Sequence, residues 1–401
     1  MIKDYFRLAI ENIRHRKLRS LLTIIGIVIG IATVVALTSL GQGVQKVVID
    51  EFQKLGTDKI FVTSAVGFTG SSGIAPLTSK DIEVIERTRG VDQAVGVKFA
   101  SARIEKQNEQ TIQAVIGVPT GDKYSLVEES YNFEYEQGRP LKEGDRYKAL
   151  IGNDLYAEKV FNKPINLGDK ITINGQRFDV VGILKEMGDP DVDNGIIIPD
   201  KTYEELFNTV NENYILVRVK AGEDPLIVAE NIKKELRNSR NVKEDEEDFN
   251  VQTTDELLES FGVILNALTA IVVGIAAISL FVGGVGIMNT MYTAVLQRTN
   301  EIGIMKAIGA KNDQILKIFL IESGMIGLIG GAIGIAIGIG LSKIIEFIGR
   351  AALDTILLKA YFPWYLIVGA LGFAFFVGTL SGLLPALQAS KQNPVEALRY
   401  E

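Results

Sequence analysis

Four long apolar stretches divide the chain, and each is long enough to cross a membrane as a helix. A hydrocarbon core of about 30 Å requires about 20 apolar residues in helical form. The predicted transmembrane helices are residues 21–40, 265–292, 318–341 and 361–389. The fourth opens with aromatic side chains suited to the headgroup level, namely Tyr361, Phe362, Trp364 and Tyr365. A cleaved signal peptide is the alternative for the first stretch, but its length and the lack of a clear small-residue cleavage site favour an uncleaved span.

The segment between the first two spans, residues 41–261, carries a mixed α/β pattern. Alternating or β-branched runs predict strands at Lys59–Ser64, Thr111–Val118, Lys170–Ile173, Phe178–Leu184, Ile196–Pro199 and Tyr214–Lys220. Asn174-Gly175 predicts a tight hairpin turn between two of these strands. Helices are predicted to begin at Thr78, after Asp200 and at Asp224-Pro225.

The charges are segregated, and their distribution predicts the orientation of the spans. Residues 41–261 hold 27 basic and 40 acidic side chains, whereas the rest of the chain holds 15 and 9. Twelve Lys and Arg lie before span one, between spans two and three, and after span four, against three in the loop 342–360. Because cytoplasmic loops carry the excess of Lys and Arg, both termini and the 297–317 loop are predicted to be cytoplasmic and 41–261 extracytoplasmic. The prediction is a multi-pass protein of the cell membrane.

These patterns together predict the fold class. We expect an α-helical membrane protein with four transmembrane helices and a large α+β extracytoplasmic domain inserted after helix 1. Residues 1–20 are expected to form an amphipathic helix on the inner leaflet, because apolar side chains recur there at helical spacing among basic ones. Residues 342–360 are expected to be a short external loop, and 390–401 a cytoplasmic tail.

The composition excludes several kinds of chemistry. The chain has no Cys and a single His, His15, which excludes disulfides, iron–sulfur clusters and zinc sites built from Cys and His. Nothing resembles a nucleophile paired with a base, and we predict no catalytic residue, no cofactor and no metal. Asp189, Asp191 and Asp193 begin like a calcium loop, but Asn194 stands where that loop needs glycine. The net charge of −7 disfavours binding to nucleic acid.

Small residues at helical spacing in spans one and three predict close packing of helices. The glycines concerned are Gly26, Gly30, Gly327, Gly330, Gly331, Gly334 and Gly338. Small residues let helix backbones approach closely in lipid, where apolar surface alone does not drive helices together. The contacts are expected within one chain or between two chains.

Glu322 is the one ionisable residue inside a predicted span. An unpaired carboxylate in lipid costs several kcal/mol, so such a residue is by default a candidate for a functional role. Lys317 lies five residues before it, and the alternative is therefore snorkelling or a local Lys or Arg partner.

The segment between spans two and three carries the most specific pattern in the chain. Residues 298–311 have the sequence RTNEIGIMKAIGAK, which by itself predicts a short charged helix ended by Gly309 on the cytoplasmic side. The order of residues resembles the R-x-x-E-I-G-x-x-x-A-x-G-A loop of the MacB/FtsX-like family of ABC transporter permeases, which includes the lipoprotein-releasing LolC and LolE proteins. The residues of this predicted coupling loop are Arg298, Glu301, Ile302, Gly303, Lys306, Ala307, Gly309 and Ala310.

Three further segments carry the same resemblance, in the family's order. They are the start of span one at 18–26, the ectodomain stretch at 165–184, and the end of the chain, with Leu384-Pro385-Ala386 followed by PVEALR at 394–399. The resemblance therefore extends over the whole chain.

The resemblance implies a permease subunit of a dimeric ABC transporter, either a homodimer or a heterodimer. The 297–317 loop would dock in a groove of an ATPase, and stiff helices would transmit the ATP-driven motion to the extracytoplasmic domain for export or extraction of a substrate. That domain would consist of a porter-like lobe of 41–120 and 214–261 and a small β-rich lobe of 121–213. The sequence contains no G-x-x-x-x-G-K-[ST], so the ATPase is expected on a separate chain.

The resemblance leaves the substrate open and leaves room for an extracytoplasmic partner protein. The alternative to a permease is a membrane-anchored sensor or regulatory protein whose ectodomain binds a partner without ATP coupling.

Overall fold

The computed structural model describes residues 17–65, 76–107, 109–157, 159–353 and 358–399. They form two compact units, one of residues 17–45, 263–351 and 358–399 and the other of 46–262 with 352–353. The amphipathic helix predicted for 1–20 lies outside the described residues, apart from 17–20 at the start of the first long helix.

Helices and strands alternate irregularly along the chain. The helices are α1 Lys17–Leu55, α2 Ser79–Arg87, α3 Tyr124–Tyr131, α4 Asn153–Tyr156, α5 Pro190–Asp193, α6 Asp200–Phe207, α7 Pro225–Arg240, α8 Thr254–Gln297, α9 Thr299–Ala307, α10 Asn312–Leu353, α11 Trp364–Ser390 and α12 Pro394–Arg399. The strands are β1 Lys59–Ser64, β2 Val91–Lys106, β3 Glu109–Val118, β4 Tyr135–Gly138, β5 Lys148–Ile151, β6 Lys170–Ile173, β7 Gln176–Leu184, β8 Ile196–Pro199, β9 Tyr214–Val219 and β10 Phe249–Thr253.

Four of the described helices are long and apolar enough to cross a membrane. By length and composition the candidate spans are Ile25–Asp50, Thr254–Gln297, Asn312–Arg350 and Trp364–Ser390. They correspond to α1, α8, α10 and α11, one for each apolar stretch of the sequence. Between them lies a shared core of buried side chains that includes Ile27, Ile31, Val35, Leu280, Ile287, Phe319, Ile335 and Ala374.

The other unit is built on a sheet with the strand order β10-β1-β9-β2-β3-β8-β5-β7-β4, and β6 pairs with β2 and β7. Most pairs are antiparallel, but β3–β8 and β5–β7 are parallel. The long strand β2 pairs through Val91–Val97 with β9 and through Lys98–Lys106 with β3. Because β3 and β8 come from the segments predicted as separate lobes, those two segments share one sheet.

Local sequence signals in this unit form the turns and caps that they predict. Asn174 and Gly175 have φ of +46° and +86° between β6 and β7, as a hairpin turn of this kind requires. The side chains and backbone of Thr78 and Asp81 form a capping box at the start of α2. Asp224 caps α7 by accepting a hydrogen bond from the Leu226 N–H at 2.9 Å, with Pro225 at the first helical position.

Strands β2, β4, β5 and β10 are not among the predicted ones. In β2, residues 94–98 are buried without interruption, so hydrophobic and polar positions do not alternate there. The other three have only four or five residues each, and their strand conformation depends on the neighbours to which they bond.

Candidate functional site

The predicted coupling residues lie on and around the short helix α9, which follows α8 after a single corner residue. That residue, Arg298, has φ −109° and ψ 18°, so the helical conformation is interrupted there. The Ile302 N–H donates to the Arg298 carbonyl at 2.9 Å and starts the new helix. Glu301 in the first turn and Lys306 in the last turn match the helix dipole.

Gly309 ends this helix. Its φ of +104° is a backbone conformation that glycine adopts without strain. The Gly309 N–H donates to the Lys306 carbonyl and the Ala310 N–H donates to the Met305 carbonyl, both at 3.0 Å, which are the two bonds of a Schellman motif. The chain thereby changes direction before α10.

One face of α9 is packed within the chain. Ile302 is fully buried, and a Cβ added at Gly303 would lie 2.9 Å from the Cβ of Ala397 on α12. The Lys306 Nζ donates to the Gln392 carbonyl at 2.7 Å, between α11 and α12. Gly303 and Lys306 therefore contact the chain's own tail, which the sequence marks only through the resemblance of 394–399, and Ile302 belongs to the buried core of the long helices.

The opposite face of α9 is exposed. Glu301, Ile304, Ala307 and Ile308 lie there at intervals of one to four residues, and Ile308 is 81% exposed. These four residues form what we call the outer stripe. Large apolar side chains beside a charged residue on an exposed helix face are typical of a surface that binds another protein.

A recess of about 520 Å³ lies where α8 and α11 end and α9 and α12 begin. Its lining residues are Leu296, Thr299, Gln388, Lys391, Gln392, Asn393, Glu396 and Ala397. The Oε1 of Gln392 is buried and accepts no hydrogen bond from the described residues. Apart from the motif at 394–399, no pattern in the sequence marks this recess, because its walls come from two segments, 296–299 and 388–397.

Arg298 turns inward to Glu322, the carboxylate inside the third predicted span. The Arg298 Nη1 lies 3.0 Å from Oε2 and 3.3 Å from Oε1 of that carboxylate. By sequence, Arg298 belongs to the predicted coupling loop and Glu322 has two interpretations. The structure brings the two side chains together, and an Arg partner is one of those interpretations.

The glycines of span one lie against α8. A Cβ at Gly26 would come within 2.7 Å of the Gly283 Cα, and one at Gly30 within 3.0 Å of the Leu280 side chain. Gly26 and Gly283 thus allow backbone-to-backbone contact between α1 and α8.

The glycines of span three lie on two sides of α10. Cβ atoms at Gly327 and Gly331 would meet Ala374 on α11 at 2.3 and 2.6 Å. Cβ atoms at Gly334 and Gly338 would lie 2.9 Å from carbonyl oxygens of Val28 and Ala32 on α1. Gly330 is buried as well. All the contacts described here are within one chain.

The partners of these glycines on α11 are not among the predicted packing residues. Gly378 approaches Gly327, and a Cβ at Gly382 would lie 2.1 Å from the Ser323 Oγ. The signal was present, since Ala374, Gly378 and Gly382 are small residues spaced four apart.

The acidic residues near 190 serve local structure. Asp189 caps α5 by accepting the Asp191 N–H at 3.0 Å, and Asp193 accepts the N–H groups of Met187 and Gly188 at 2.9 and 2.6 Å. Burial raises the pKa of Asp193 and outweighs these two hydrogen bonds. Within the described residues no group of three His, Cys, Asp or Glu side chains is arranged to hold a metal ion.

Comparison with known families gives two matches that together cover most of the chain. Residues 20–235 match the MacB-like periplasmic core domain, and residues 273–394 match the FtsX-like permease C-terminal domain. The second match includes the outer stripe, Glu322 and the glycines of span three.

Three similar proteins align over 99–100% of this chain. An uncharacterised ABC transporter permease of Methanocaldococcus jannaschii is 40% identical over 100% of this chain and 98% of its own length. The uncharacterised ABC transporter permease YknZ of Bacillus subtilis is 31% identical, with 99% of each chain covered. The macrolide export ATP-binding/permease protein MacB of Neisseria gonorrhoeae is 28% identical over 99% of this chain, which spans 61% of that protein.

Two crystal structures are similar to part of the chain. The extracellular domain of YknZ from Gram-positive bacteria has a TM-score of 0.39 and 20% identity, covering 49% of this chain and 100% of that domain. The periplasmic region of MacB from Actinobacillus actinomycetemcomitans has a TM-score of 0.45 and 16% identity, covering 54% and 97%.

Proposed function

The chain belongs to the MacB/FtsX-like family of ABC transporter permeases, and from that membership we propose that it is a membrane subunit driven by an ATPase on a separate chain. It would transmit the motion of that ATPase to its extracytoplasmic domain, for export or extraction of a substrate. In this function the chain itself catalyses no reaction and binds no cofactor.

The outer stripe is the observation that carries the proposal. Helix α9 has one face fixed within the chain by Ile302, Gly303 and Lys306, and leaves Glu301, Ile304 and Ile308 exposed. A short helix held from behind, with an apolar and acidic outer face, is suited to enter a groove of another protein. We assign that groove to the ATPase.

The lengths of two helices support transmission of motion. Helices α1 and α8 contain 39 and 44 residues, which at 1.5 Å per residue correspond to about 58 and 66 Å. A hydrocarbon core is only about 30 Å thick. Each helix is therefore long enough to extend beyond the membrane on at least one side.

The proposed arrangement in the membrane follows the distribution of charge. Residues 297–317, the tail 390–401 and the N-terminus would be cytoplasmic, and 41–261 and 342–360 would be extracytoplasmic. A second permease chain, identical or related, would complete the transporter in the bilayer, and an extracytoplasmic partner would extend it. Within 41–261 we keep the proposed porter-like lobe, 41–120 with 214–261, and the β-rich lobe, 121–213.

Charge reversal on the outer stripe tests this function. The Glu301→Lys substitution leaves the membrane spans and the buried face of α9 unchanged. If the stripe contacts an ATPase, binding should weaken by about tenfold or more, equivalent to about 1.4 kcal/mol. The measurement uses the full chain in lipid nanodiscs and the ATPase that co-purifies with it from membranes.

Asp313→Lys provides the matched control. Asp313 is also an exposed acid in the first turn of a helix, α10, but it lies outside the outer stripe. The proposal requires that Asp313→Lys binds the ATPase as the unaltered chain does. Equal binding by Glu301→Lys and the unaltered chain would contradict the assignment of the stripe, and absence of any ATPase from the purified chain would favour the sensor.

A further inference from the structure

Glu322 occupies a buried face of α10. Phe319, three residues before it, and Ile326, four residues after it, are both buried and share its side of the helix. The Glu322 side chain itself is 11% exposed. An ionised carboxylate in such a position is costly unless a cation pairs with it.

A cationic partner comes from outside the helix. Arg298, 19% exposed, donates from Nη1 to both oxygens of the carboxylate. The pair joins the corner before α9 to a position about three turns into α10, which begins at Asn312. The ion pair therefore bridges two elements that are separated in sequence by 24 residues.

The direction of α9 is not fixed by the backbone at Arg298. The dihedral angles of Arg298 interrupt the helix between α8 and α9, so α9 is not a rigid continuation of α8. Its direction depends on side-chain contacts instead. Ile302 and Gly303 hold the middle of α9, and the Arg298–Glu322 pair holds its beginning.

We propose that Arg298 and Glu322 form a clamp that fixes the start of α9 against α10, so that force on the outer stripe moves α10. This inference rests on the proposed function and assigns both residues a positioning role within it. Without the ion pair, an ATPase would still bind α9. The motion of the ATPase would then bend the chain at Arg298 and would not reach α10.

The chemistry of the ion pair favours a role in orienting α9 over a role in stabilising the folded protein. Replacing a buried ion pair by apolar side chains of similar volume often leaves stability unchanged or improves it. An apolar contact is non-directional, whereas one guanidinium nitrogen held by two carboxylate oxygens restricts how α9 can turn.

The first experiment needs no ATPase. The chain is free of Cys, so spin labels at Ile304→Cys on α9 and Ile333→Cys on α10, both exposed, report the distance between the two helices without background. The clamp predicts a narrow distance distribution in the unaltered pair, a broader one in Glu322→Gln, and a narrow one again in the exchanged pair Arg298→Glu with Glu322→Arg. An unchanged width in Glu322→Gln would overturn the clamp whatever the protein's function.

The second experiment measures coupling in nanodiscs with the co-purified ATPase. Glu322→Gln should bind the ATPase within about threefold of the unaltered chain but lose about fivefold or more of the stimulation of ATP hydrolysis, the range of a typical coupling free energy. The exchanged pair should recover most of that stimulation. Arg298→Lys, which keeps the charge without the guanidinium, should lose less stimulation than Glu322→Gln but more than the exchanged pair.

Glu346→Gln is the matched control on the same helix. Its carboxylate is 10% exposed and pairs with Lys343 and Arg350, but it does not contact α9. The clamp predicts unchanged stimulation for Glu346→Gln. Equal losses of ATPase stimulation in Glu322→Gln and Glu346→Gln would overturn the proposal. So would a loss of folded protein that matches the loss of stimulation, if the exchanged pair does not restore either.

Different results would contradict the proposed function and the proposed clamp. If the unaltered chain binds no ATPase, the proposed function fails and the distance measurement still decides whether the clamp exists. If the unaltered chain binds and stimulates an ATPase while Glu322→Gln and Arg298→Lys behave identically to it, the clamp alone fails.

Discussion

Gly327 offers the most direct test of how the membrane helices pack. A Cβ at this position would lie 2.3 Å from the Ala374 carbonyl oxygen and 3.0 Å from the Gly378 Cα, both backbone atoms of α11. Backbone atoms cannot turn aside as a flexible side chain can. To reach an ordinary contact of 3.4 Å, α10 and α11 would have to separate by about 1 Å.

The Gly327→Ala substitution therefore combines two opposing effects. Alanine favours a helix interior over glycine by roughly 0.5–1 kcal/mol, whereas overpacking a well-filled contact costs about 1–3 kcal/mol. We expect a net loss of about 1–2 kcal/mol. Gly340, on the same helix, has no atom within 4 Å of an added Cβ, so Gly340→Ala gains propensity without a clash.

The assay is thermal unfolding of the full chain, followed through Trp364, the single tryptophan. One kcal/mol corresponds to roughly 2–4 °C for a unit of 150–250 residues, so Gly327→Ala should melt a few degrees below the unaltered chain and Gly340→Ala should not. Equal midpoints for Gly327→Ala and Gly340→Ala would refute the packing argument. Because the glycine contacts are within one chain, Gly334→Leu should also disrupt the folded bundle itself, before any effect on assembly with a second chain.

Two further predictions concern topology and acid stability. Cysteines at Glu223 and Asn300, both exposed, should react with an impermeant reagent on intact cells at the first position and be protected at the second. The opposite pattern would reverse the proposed orientation. Burial raises the pKa of Asp81, but hydrogen bonds from Arg240 and Thr78 outweigh it and hold that pKa below its usual value. The stabilisation is therefore present above about pH 4 and is lost as the pH falls through the lowered pKa, so Asp81→Asn should cost on the order of 1–3 kcal/mol near pH 7 and progressively less in acid. A constant difference between the two chains from pH 7 to pH 3, measured by denaturant unfolding, would contradict this assignment.

Features that depend on neighbours along the chain could be predicted from the sequence. The apolar stretches become α1, α8, α10 and α11, since a run of about 20 apolar residues has few other stable conformations in lipid. The turn at Asn174-Gly175 and the caps at Thr78 and Asp224 form because the required hydrogen bonds and φ angles lie within a few residues. The order of residues in 298–311 and 394–399 was enough to indicate the family, which the comparisons with known proteins confirm.

Features that depend on pairing between distant segments could not be predicted. Strand β2 continues for 16 residues because β9 borders one half of it and β3 the other, and the burial of residues 94–98 removes the alternation by which a strand is recognised. Strand β4 has no buried residue and β5 has three buried residues in a row, so neither alternates; β10 does alternate, with Phe249, Val251 and Thr253 buried, and its pattern could have been recognised.

The coupling segment shows the same division within a single motif. Sequence order alone determined that 298–311 contains a short helix ended by Gly309, because the requirements of a helix and its C-terminal cap are local. Which residues face outward was decided by tertiary structure: Ala397 takes the space beside Gly303, and Glu322 draws Arg298 inward. A buried carboxylate and a glycine without a side chain each accept only a few neighbours. Only the folded chain brings Ala397 to Gly303 from 94 residues away and Arg298 to Glu322 from 24 residues away.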